Sequence, residues 1–226
     1  ENNTLTLDQV TSVIAGKRVL GPPNEIQEVR NAFAAYEAMT DWSPTSSGDL
    51  LAAHKLMLRG LADEVGRFRS GSVGIAQGDR VVHLAPPAGR VPDLVKNLLA
   101  WLRRTDAHPL VASSVFHYEL EFIHPFSDGN GRIGRLWQTL LLSHWNPLLA
   151  WLPVESVIHD RQADYYRVLA ACDSAGNSTA FIEFLLAALL TSLREASAAD
   201  PVSDPVSDPV SDPFSDPFSD QVAALL

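Results

Sequence analysis

The sequence predicts a mainly α protein with a single domain and one small β-hairpin. Two observations lead to this prediction: apolar residues recur at helical spacing through most of residues 1–194, and only one region alternates as strands do. The chain has 226 residues, which is long enough to bury the core of one domain. The expected fold is therefore a helical domain that carries a hairpin.

The first two helices are predicted from polar residues that stand ahead of apolar ones. Thr6 and Gln9 form a capping box, and Gly16 is a suitable stop for the helix that follows. Asn24 and Gln27 repeat the capping signal in a weaker form. The apolar residues after this second signal fall on one helix face: Ile26, Val29, Phe33 and Tyr36.

Six later segments also have helical periodicity. The one after Pro92 carries an apolar stripe of Leu94, Val95, Leu98, Leu99 and Leu102. The others are Leu50–Leu61, Leu110–Ile123, Ile133–Ser143, Asp164–Cys172 and Phe181–Leu193.

One region breaks the helical pattern. Ser72–Ala76 and Arg80–Leu84 both contain β-branched residues, and the turn sequence QGD separates them. Pro86 and Pro87 then end the alternation. These features predict a short β-hairpin.

Residues 195–226 are predicted to form a separate tail. Aspartate and proline recur there every four residues, and proline prevents a continuous helix or strand ladder. The formal net charge of the chain is −10, and seven carboxylates without any Lys or Arg lie past Arg194. We therefore expect an acidic, flexible appendage after a domain that spans residues 1–194.

Composition argues against several classes of protein. Without its tail the chain is close to neutral, so no general nucleic-acid-binding surface is indicated. The single cysteine, Cys172, excludes an intrachain disulfide and favours a reducing compartment. The most apolar runs are too short to span a bilayer, and the polar first residues do not resemble a signal peptide. We therefore expect a cytoplasmic protein with neither nucleic acid nor membrane as a partner.

The stretch HPFSDGNGRIGR, which starts at His124, is too polar and too rich in glycine to form part of a hydrophobic core. Leu110–Ile123 is apolar on most sides, so we expect a buried helix that presents His124 at its C-terminal end. Ile133 opens a second apolar helical pattern, which places the start of the next helix near Gly131. Gly129 and Gly131 let the backbone approach a ligand closely. A glycine-rich loop that enters a helix N-terminus is typical of an anion site, because backbone N–H groups there lack intrahelical partners.

Charged side chains in this stretch indicate which anion is bound. Arg132 and Arg135 lie about one helical turn apart and can both donate to phosphate oxygens. Asp128 would repel a bare polyphosphate, which indicates a Mg²⁺ ion between carboxylate and phosphates. His124 is then a candidate base beside this centre. A calcium loop, a Walker loop and a purely structural capping loop each fit the whole set less well.

The chain resembles the Fic family at this stretch. His124–Arg135 matches the Fic motif, H-x-F-x-[D/E]-G-N-G-R-x-x-R, at every specified position. The hairpin with its two following prolines is similar to the Fic flap, and Tyr165-Tyr166 and the segment NSTAFIEFLL are similar to other family features. The resemblance covers residues 1–194 and implies a single Fic-like helical domain with a β-hairpin flap.

The resemblance implies that AMP moves from ATP to a Ser, Thr or Tyr hydroxyl of a target protein, with release of pyrophosphate. It assigns His124 as the base and Asp128 as the Mg²⁺ ligand. The ATP phosphates would be held by Gly129, Asn130 and Gly131, by Arg132 at the β/γ end and by Arg135 at the γ-phosphate. Gly131 favours AMP transfer, because the Doc-like branch of the family, which phosphorylates, has lysine at that place. Phe126 is a core anchor in the family.

Further site residues follow from the same resemblance. Tyr165 and Tyr166 resemble the pair that lines the adenine pocket, and as helix aromatics they suit a core equally well. Asp173 stands where some relatives have a nucleotide-contacting Asn. The flap edge, which is suited to pair with an extended target segment, comprises Val81, Val82, His83 and Leu84. His117 and Cys172 are expected to lie in the core.

Three functions remain compatible with the sequence. The preferred one is a protein adenylyltransferase that uses ATP and Mg²⁺. The same site would serve an enzyme that removes AMP from a modified protein, and the third reading is a non-catalytic nucleotide-binding module. His124, Asp128 and both arginines together argue against the third reading. The expected partners are ATP, a protein substrate with a free hydroxyl, and a second copy of the chain in a homodimer.

The resemblance extends to a subgroup with an N-terminal inhibitory glutamate. Many Fic proteins carry [S/T]-x-x-x-E-[G/N] on an inhibitory helix, and ENNTLTLDQV resembles the segment that begins at that glutamate. Glu1 would then pair with Arg135 in competition with the γ-phosphate. The alternative is that Glu1 is a solvated terminal residue.

Overall fold

Nine α-helices and one pair of strands occur within residues 3–77, 80–152 and 154–199, which a computed structural model describes. The helices are α1 Leu7–Ile14, α2 Pro23–Ala38, α3 Ser47–Met57, α4 Val91–Arg104, α5 Pro109–Ile123, α6 Asn130–Trp145, α7 Val154–Asp160, α8 Gln162–Ala175 and α9 Thr179–Ala199. The strands are β1 Gly74–Gln77 and β2 Arg80–Leu84. In the same described ranges, three short 3-10 helices cover Met39–Asp41, Ala88–Arg90 and Pro147–Trp151. The chain is mainly helical, as predicted.

The start of α1 follows its sequence signal, whereas the start of α2 does not. The Thr6 hydroxyl accepts from the Gln9 N–H, and the Gln9 side chain accepts from the Thr6 N–H, so the predicted capping box is confirmed. The predicted cap at Asn24 is wrong, since the N-cap is Pro22 and α2 begins at Pro23. The fixed φ of proline suits the first helical position, where no N–H is needed.

The buried face of α2 also differs from the apolar stripe that the sequence suggested. Phe33 is 40% exposed, whereas Asn31 is fully buried. Asn31 Nδ2 donates to the carbonyl oxygens of Met57 and Arg59 at 3.2 and 2.8 Å. These carbonyls lie at the end of α3 and lack partners within that helix, so a buried amide is favoured there over an apolar side chain.

Helices α5 and α6 lie at the centre of the fold. Both contribute fully buried side chains to the largest core cluster, including Phe116, Leu120, Ile133, Leu136, Trp137 and Leu140. Helix α5 is buried on most sides, as its composition predicts. Because the two helices are fixed by this core, the short loop between them is held at both ends.

The strands occupy the region that the sequence set apart from the helices. They pair antiparallel, with Gly74 opposite Leu84 and Gln77 opposite Arg80, and the register shifts between Ile75 and Ala76. Only the backbone of these strands is described, and residues 78–79 lie outside the described residues.

The C-terminal part contains two departures from the prediction. The sequence-based prediction did not include helix α7, and helix α9 continues past Arg194 to Ala199. Residues 200–226 lie outside the described residues, so the division into a domain and a tail stays a prediction. In the described part of the chain, none of the helices is long and apolar enough to cross a membrane.

Candidate active site

His124 lies where α5 ends, as predicted. Its backbone N–H donates to the Leu120 carbonyl at 2.9 Å, and its φ of 49° and ψ of 61° are left-handed. Among the described residues, His124 is the one non-glycine residue with a positive φ. That conformation costs about 1–2 kcal/mol. The surrounding contacts must therefore hold the backbone of His124 in place.

The loop that follows His124 is closed by the side chain of Asn130. The Phe126 N–H donates to Asn130 Oδ1 at 2.8 Å, and Asn130 Nδ2 donates to the Phe126 carbonyl at 2.9 Å. Asn130 is 3% exposed, so its amide group braces the loop from inside. The group that Asn130 offers to a ligand is then its backbone N–H at the start of α6.

His54 of α3 supports the same loop from the other side. The Gly66 N–H donates to His54 Nδ1 at 2.9 Å, so Nε2–H donates to the Asp128 carbonyl at 3.0 Å. The imidazole also stacks on the Phe126 ring, with centroids 3.8 Å apart and planes 6° apart. Burial lowers the pKa of His54, which favours this neutral tautomer. Sequence reasoning missed His54, which is 74 residues from Asp128 and belongs to no local motif.

Two glycines shape the N-terminus of α6. Gly129 has a φ of 81°, and a Cβ at this residue would lie 2.6 Å from Cδ2 of Leu58. A Cβ at Gly131 would lie 3.1 Å from Nη1 of Arg135. Gly129 therefore allows both the left-handed backbone and the close packing against Leu58, and Gly131 leaves room for the guanidinium of Arg135.

Arg132 is held between two carboxylates. Its Nη2 lies 3.2 Å from Asp128 Oδ2, and its Nη1 lies 3.0 Å from Glu28 Oε1. The Gly129 N–H donates to the other oxygen of Asp128. The side chain of Asp128 is 57% exposed and that of Arg132 only 13%. The carboxylate of Asp128 therefore faces solvent beside a fixed cation, and Glu28 is a further member of the site that the sequence did not indicate.

Arg135 lies beside a carboxylate of α7. Its Nε is 4.0 Å from Glu155 Oε1, and the Tyr36 hydroxyl donates to the same oxygen. Burial, followed by the charge of Glu155, raises the pKa of Tyr36 well above its usual value, so the hydroxyl remains a donor. Tyr36 was predicted as part of an apolar helix face. In the structure its hydroxyl donates a hydrogen bond to Glu155, which lies beside Arg135, the second arginine of the motif.

Buried polar groups lie beneath His124. Its Nδ1 is 3.4 Å from the Glu121 carbonyl and 3.9 Å from Glu121 Oε2. Because Nδ1 faces these oxygens, Nε2 is the nitrogen that can accept a proton. His117 is fully buried, with Nδ1 2.7 Å from Gln138 Oε1 and Nε2 3.2 Å from the Tyr165 hydroxyl. The prediction that His117 is a core histidine is confirmed.

His117 makes the stability of the fold depend on pH. Burial, opposed by the hydrogen bond to Gln138, lowers the pKa of His117 to about 4. Above pH 6.5 the residue is neutral in both the folded and the unfolded chain, so it does not change the free energy of unfolding. As pH falls from about 6.5 to about 4, only the unfolded chain binds the proton, and the free energy of unfolding decreases by on the order of 3 kcal/mol.

We expect His117→Gln to remove this part of the acid sensitivity. Urea unfolding at pH 7 and at pH 4 would measure the loss of stability in the wild type and in the variant. The loss should be smaller in the variant by on the order of 3 kcal/mol. The exposed His144→Gln variant serves as the control and should behave as the wild type does. Equal losses of stability between pH 7 and pH 4 in all three proteins would contradict the lowered pKa of His117.

Two adjoining cavities lie beside the loop. The first, of about 190 Å³, is lined by Glu121, His124, residues 127–131, Arg135, Tyr165 and Tyr166. The second, of about 390 Å³, shares Arg135, Tyr165 and Tyr166 with the first and continues along α7 and α8. The space thus leads from His124 and the helix N-terminus past Arg135 to an aromatic wall. Such a shape suits an elongated anionic ligand with an aromatic end.

The two tyrosines take part in both the core and the cavity wall. Tyr165 is 5% exposed and packs on Phe181, with ring centroids 5.5 Å apart. Tyr166 is half-buried beside it. Asp173 accepts a hydrogen bond from the Tyr118 hydroxyl at 3.0 Å. The proposed roles of Tyr165 and Tyr166 in nucleotide binding stay predictions.

Two other predicted parts of the site stay predictions. Glu1 lies outside the described residues. For Val81, Val82, His83 and Leu84 the description is limited to their backbone in β2.

The residues around Asp128 suit a metal that is bound together with phosphates. Within the described ranges, no cluster of three or more His, Cys, Asp or Glu side chains is able to hold a metal ion. Mg²⁺ does not need such a cluster, because it retains waters and takes one or two carboxylates together with phosphate oxygens. Asp128 fits this role, since its exposed carboxylate lies on the rim of the first cavity.

Comparison with protein-family models and with named proteins gives consistent matches. Residues 44–142 match the model of the Fic/DOC family. The chain is similar to Protein adenylyltransferase Fic of Nematostella vectensis, with 32% identity over 201 residues that cover 82% of this chain and 43% of that protein. It is also similar to Protein adenylyltransferase fic-1 of Caenorhabditis elegans, with 28% identity over 201 residues that cover 82% of this chain and 37% of that protein. The chain spans less than half the length of these relatives.

Solved structures show the same fold. The crystal structure of a Fic family protein from Desulfovibrio desulfuricans G20 matches with a TM-score of 0.84 and 67% identity, covering 90% of this chain and 63% of that chain. A fragment of Fic-1 from C. elegans matches with a TM-score of 0.69 and 25% identity, covering 88% of this chain and 59% of that chain.

Proposed function

Because this chain belongs to the Fic/DOC family, which it matches over residues 44–142, we propose that it transfers AMP from ATP to a hydroxyl group of a target protein. The curated relatives described above are named as protein adenylyltransferases, which supports a nucleotidyltransferase at the level of the family. The substrate hydroxyl is that of a Ser, Thr or Tyr side chain.

One observation carries this proposal. A single cavity is lined by the imidazole of His124, by the glycine-rich N-terminus of α6 and by Arg135. A proton acceptor and a phosphate-binding surface therefore face the same space, which is what a hydroxyl attacking a phosphorus atom requires.

In the proposed reaction, Nε2 of His124 accepts the proton of the attacking hydroxyl. The hydroxyl oxygen forms a bond to the α-phosphorus of ATP, the bond from that phosphorus to the oxygen bridging to the β-phosphate breaks, and pyrophosphate leaves. Glu121 holds Nδ1 of the same ring through its carbonyl and its carboxylate. This contact fixes the direction of the ring and stabilises the imidazolium that forms.

The phosphates are bound by groups that the fold already holds in position. Arg132 and Arg135 lie one turn apart on α6. Glu28 pairs with Arg132, which also contacts Asp128, and Glu155 lies beside Arg135, which lines the first cavity. The N–H groups at the start of α6 add the positive end of the helix dipole. When bound through Asp128, Mg²⁺ supplies positive charge that offsets the charge developing on the phosphates. Gly131 supports AMP transfer, because the phosphorylating Doc-like branch has lysine at this place in the motif; here a Cβ would already lie 3.1 Å from Nη1 of Arg135.

Labelled ATP provides the test of this proposal. The full chain is incubated with Mg²⁺, with candidate target proteins and with ATP labelled either at the α- or at the γ-phosphate. We expect protein-bound label from α-labelled ATP only, and mass spectrometry should find AMP on hydroxyl side chains. Label from γ-labelled ATP would indicate phosphorylation instead. The absence of label in both the wild type and Glu1→Gly, despite measured ATP binding, would contradict a transferase.

Autoinhibition by Glu1 is part of the same proposal. The segment that follows Glu1 is held close to the motif, because Asn3 Nδ2 donates to the carbonyl of Glu25 at 3.1 Å and to the carboxylate of Glu28 at 3.3 Å. Glu28 in turn pairs with Arg132. A carboxylate of Glu1 beside Arg135 would compete with the γ-phosphate and leave the α-phosphate poorly aligned for attack.

We expect Glu1→Gly to increase the rate of automodification and of target labelling, with little change in ATP affinity. The effect should reach about 10-fold if misalignment of the phosphates limits the wild type. Glu37→Gly, which changes an exposed glutamate of α2, is the control for general destabilisation. Equal rates in the wild type and in the Glu1 variant would exclude inhibition by this residue.

A further inference from the structure

Arg69 is a buried arginine outside the motif that contacts the motif loop directly. It lies between α3 and β1, is 3% exposed, and donates hydrogen bonds to five carbonyl groups. Burial lowers the pKa of its guanidinium, because loss of solvent disfavours the charged form. An arginine in such a place is costly unless its donors are all used, so its contacts indicate why it is there.

Three of the five acceptors are consecutive residues around His124. Arg69 Nη2 donates to the carbonyl of Ile123 at 3.3 Å, Nε donates to that of His124 at 2.7 Å, and the backbone N–H donates to that of Pro125 at 2.9 Å. The last carbonyls of α5 receive no hydrogen bond from an N–H group of the helix itself. Arg69, from a distant part of the chain, therefore caps this helix end. The same contacts fix the left-handed backbone of His124, and the backbone sets the direction of the imidazole.

The other two acceptors lie on either side of the strand pair. Nη1 donates to the carbonyl of Gly71 at 2.8 Å, and Nη2 donates to that of Pro86 at 2.6 Å. Gly71 precedes β1 and Pro86 follows β2, so these are the two ends of the hairpin. One guanidinium group therefore joins the base of the hairpin to the turn that carries His124.

We propose that Arg69 is a positioning residue that aligns His124 with the hairpin, a role that rests on the proposed function of His124 as the base. In that function the hairpin edge receives the target segment, so a fixed distance from the hairpin base to His124 brings the target hydroxyl to Nε2. Only arginine suits the task, because its planar fork donates in several directions at once, whereas the ammonium group of lysine donates from one point.

The test is Arg69→Lys, which keeps the charge but loses the fork. Arg67→Lys is the matched control, since Arg67 is exposed and pairs only with Glu64 among the described residues. We expect Arg69→Lys to lower kcat for AMP transfer by about 10- to 100-fold, as small misplacements of reacting groups do. ATP affinity measured by calorimetry should change less than about 3-fold, because the N-terminus of α6 is braced by Asn130 and His54 instead.

A second measurement does not depend on activity. Carbon-13 labelling of the histidine rings, with the His124 signal assigned by its loss in His124→Ala, reports the state of the imidazole. In Arg69→Lys we expect the His124 signal to shift or broaden while the signals of His54 and His117 remain in place. An unchanged His124 signal, or an equal loss of ATP affinity and kcat together with a general loss of signal dispersion, would overturn the positioning role. Failure of AMP transfer in both the wild type and Glu1→Gly would reject the proposed function alone, because the histidine ring signals still report whether Arg69 positions His124.

Discussion

Replacing His124 with alanine should abolish AMP transfer while ATP continues to bind. The loss of a general base typically lowers the rate by at least about 10²-fold. The two buried imidazoles of the described residues are engaged elsewhere: His117 contacts Gln138 and Tyr165, and His54 contacts Gly66 and Asp128. The groups that bind phosphate belong to α6 and its preceding loop, and none of them depends on the imidazole of His124.

Single-turnover transfer of labelled AMP gives the rate, and calorimetry gives the affinity for ATP. The exposed His144→Ala variant on α6 is the matched control and should retain both. Near-normal transfer by His124→Ala would remove His124 from its role as the base. A large loss of ATP affinity in the same variant would show instead that His124 binds the nucleotide.

Replacing Asp128 should produce the second large effect, through the metal. In Asp128→Ala we expect transfer to fall by about 10²- to 10³-fold, because the carboxylate that would hold Mg²⁺ against the phosphates is lost. The dependence of ATP binding on Mg²⁺ should fall with it. This carboxylate also pairs with Arg132 and accepts the Gly129 N–H, so alanine removes part of the loop's support as well.

Asp128→Asn separates these two contributions. The amide oxygen can still accept the Gly129 N–H, but the side chain loses the charge that attracts the cation. We expect the melting temperature of Asp128→Asn to stay close to that of the wild type while Mg²⁺-dependent transfer falls nearly as far as in Asp128→Ala. Asp106→Ala, in the exposed loop before α5, controls for the loss of a surface carboxylate. If AMP transfer depended on Mg²⁺ in both Asp128 variants as strongly as in the wild type, Asp128 would not be the Mg²⁺ ligand.

Helix positions could be read from the sequence wherever the signal was local. The capping box at Thr6 uses residues three apart, and the apolar pattern from Ile133 onwards identifies α6 within a few residues of its real start. The signal failed at α2, where the buried residue is Asn31 and not Phe33. Local periodicity could not show that Asn31 is buried, because its side chain is held by hydrogen bonds to carbonyl groups at the end of α3, 26 residues away.

The candidate site shows the same division between local and distant residues. His124, Asp128 and the two arginines stand within twelve consecutive residues, so their spacing alone placed them at one helix end. The residues that hold them in position are Glu28, His54, Arg69 and Glu155, and none of these forms a motif with its neighbours. Each was recognised only from its contacts in the folded chain.

By itself the sequence therefore determined a mainly helical chain and a loop, from His124 to Arg135, whose residue types suit a base beside a phosphate-binding helix end. Only the tertiary structure decided how that loop is supported: Arg69 reaches His124 across 55 residues and Glu28 reaches Arg132 across 104. The physical reason is the range of the interactions. Helix formation and capping depend on residues within one or two turns, which a sequence displays directly. A buried cation or imidazole is stabilised by whichever carbonyls the packing of distant helices brings to it, and that packing exists only after the chain has folded.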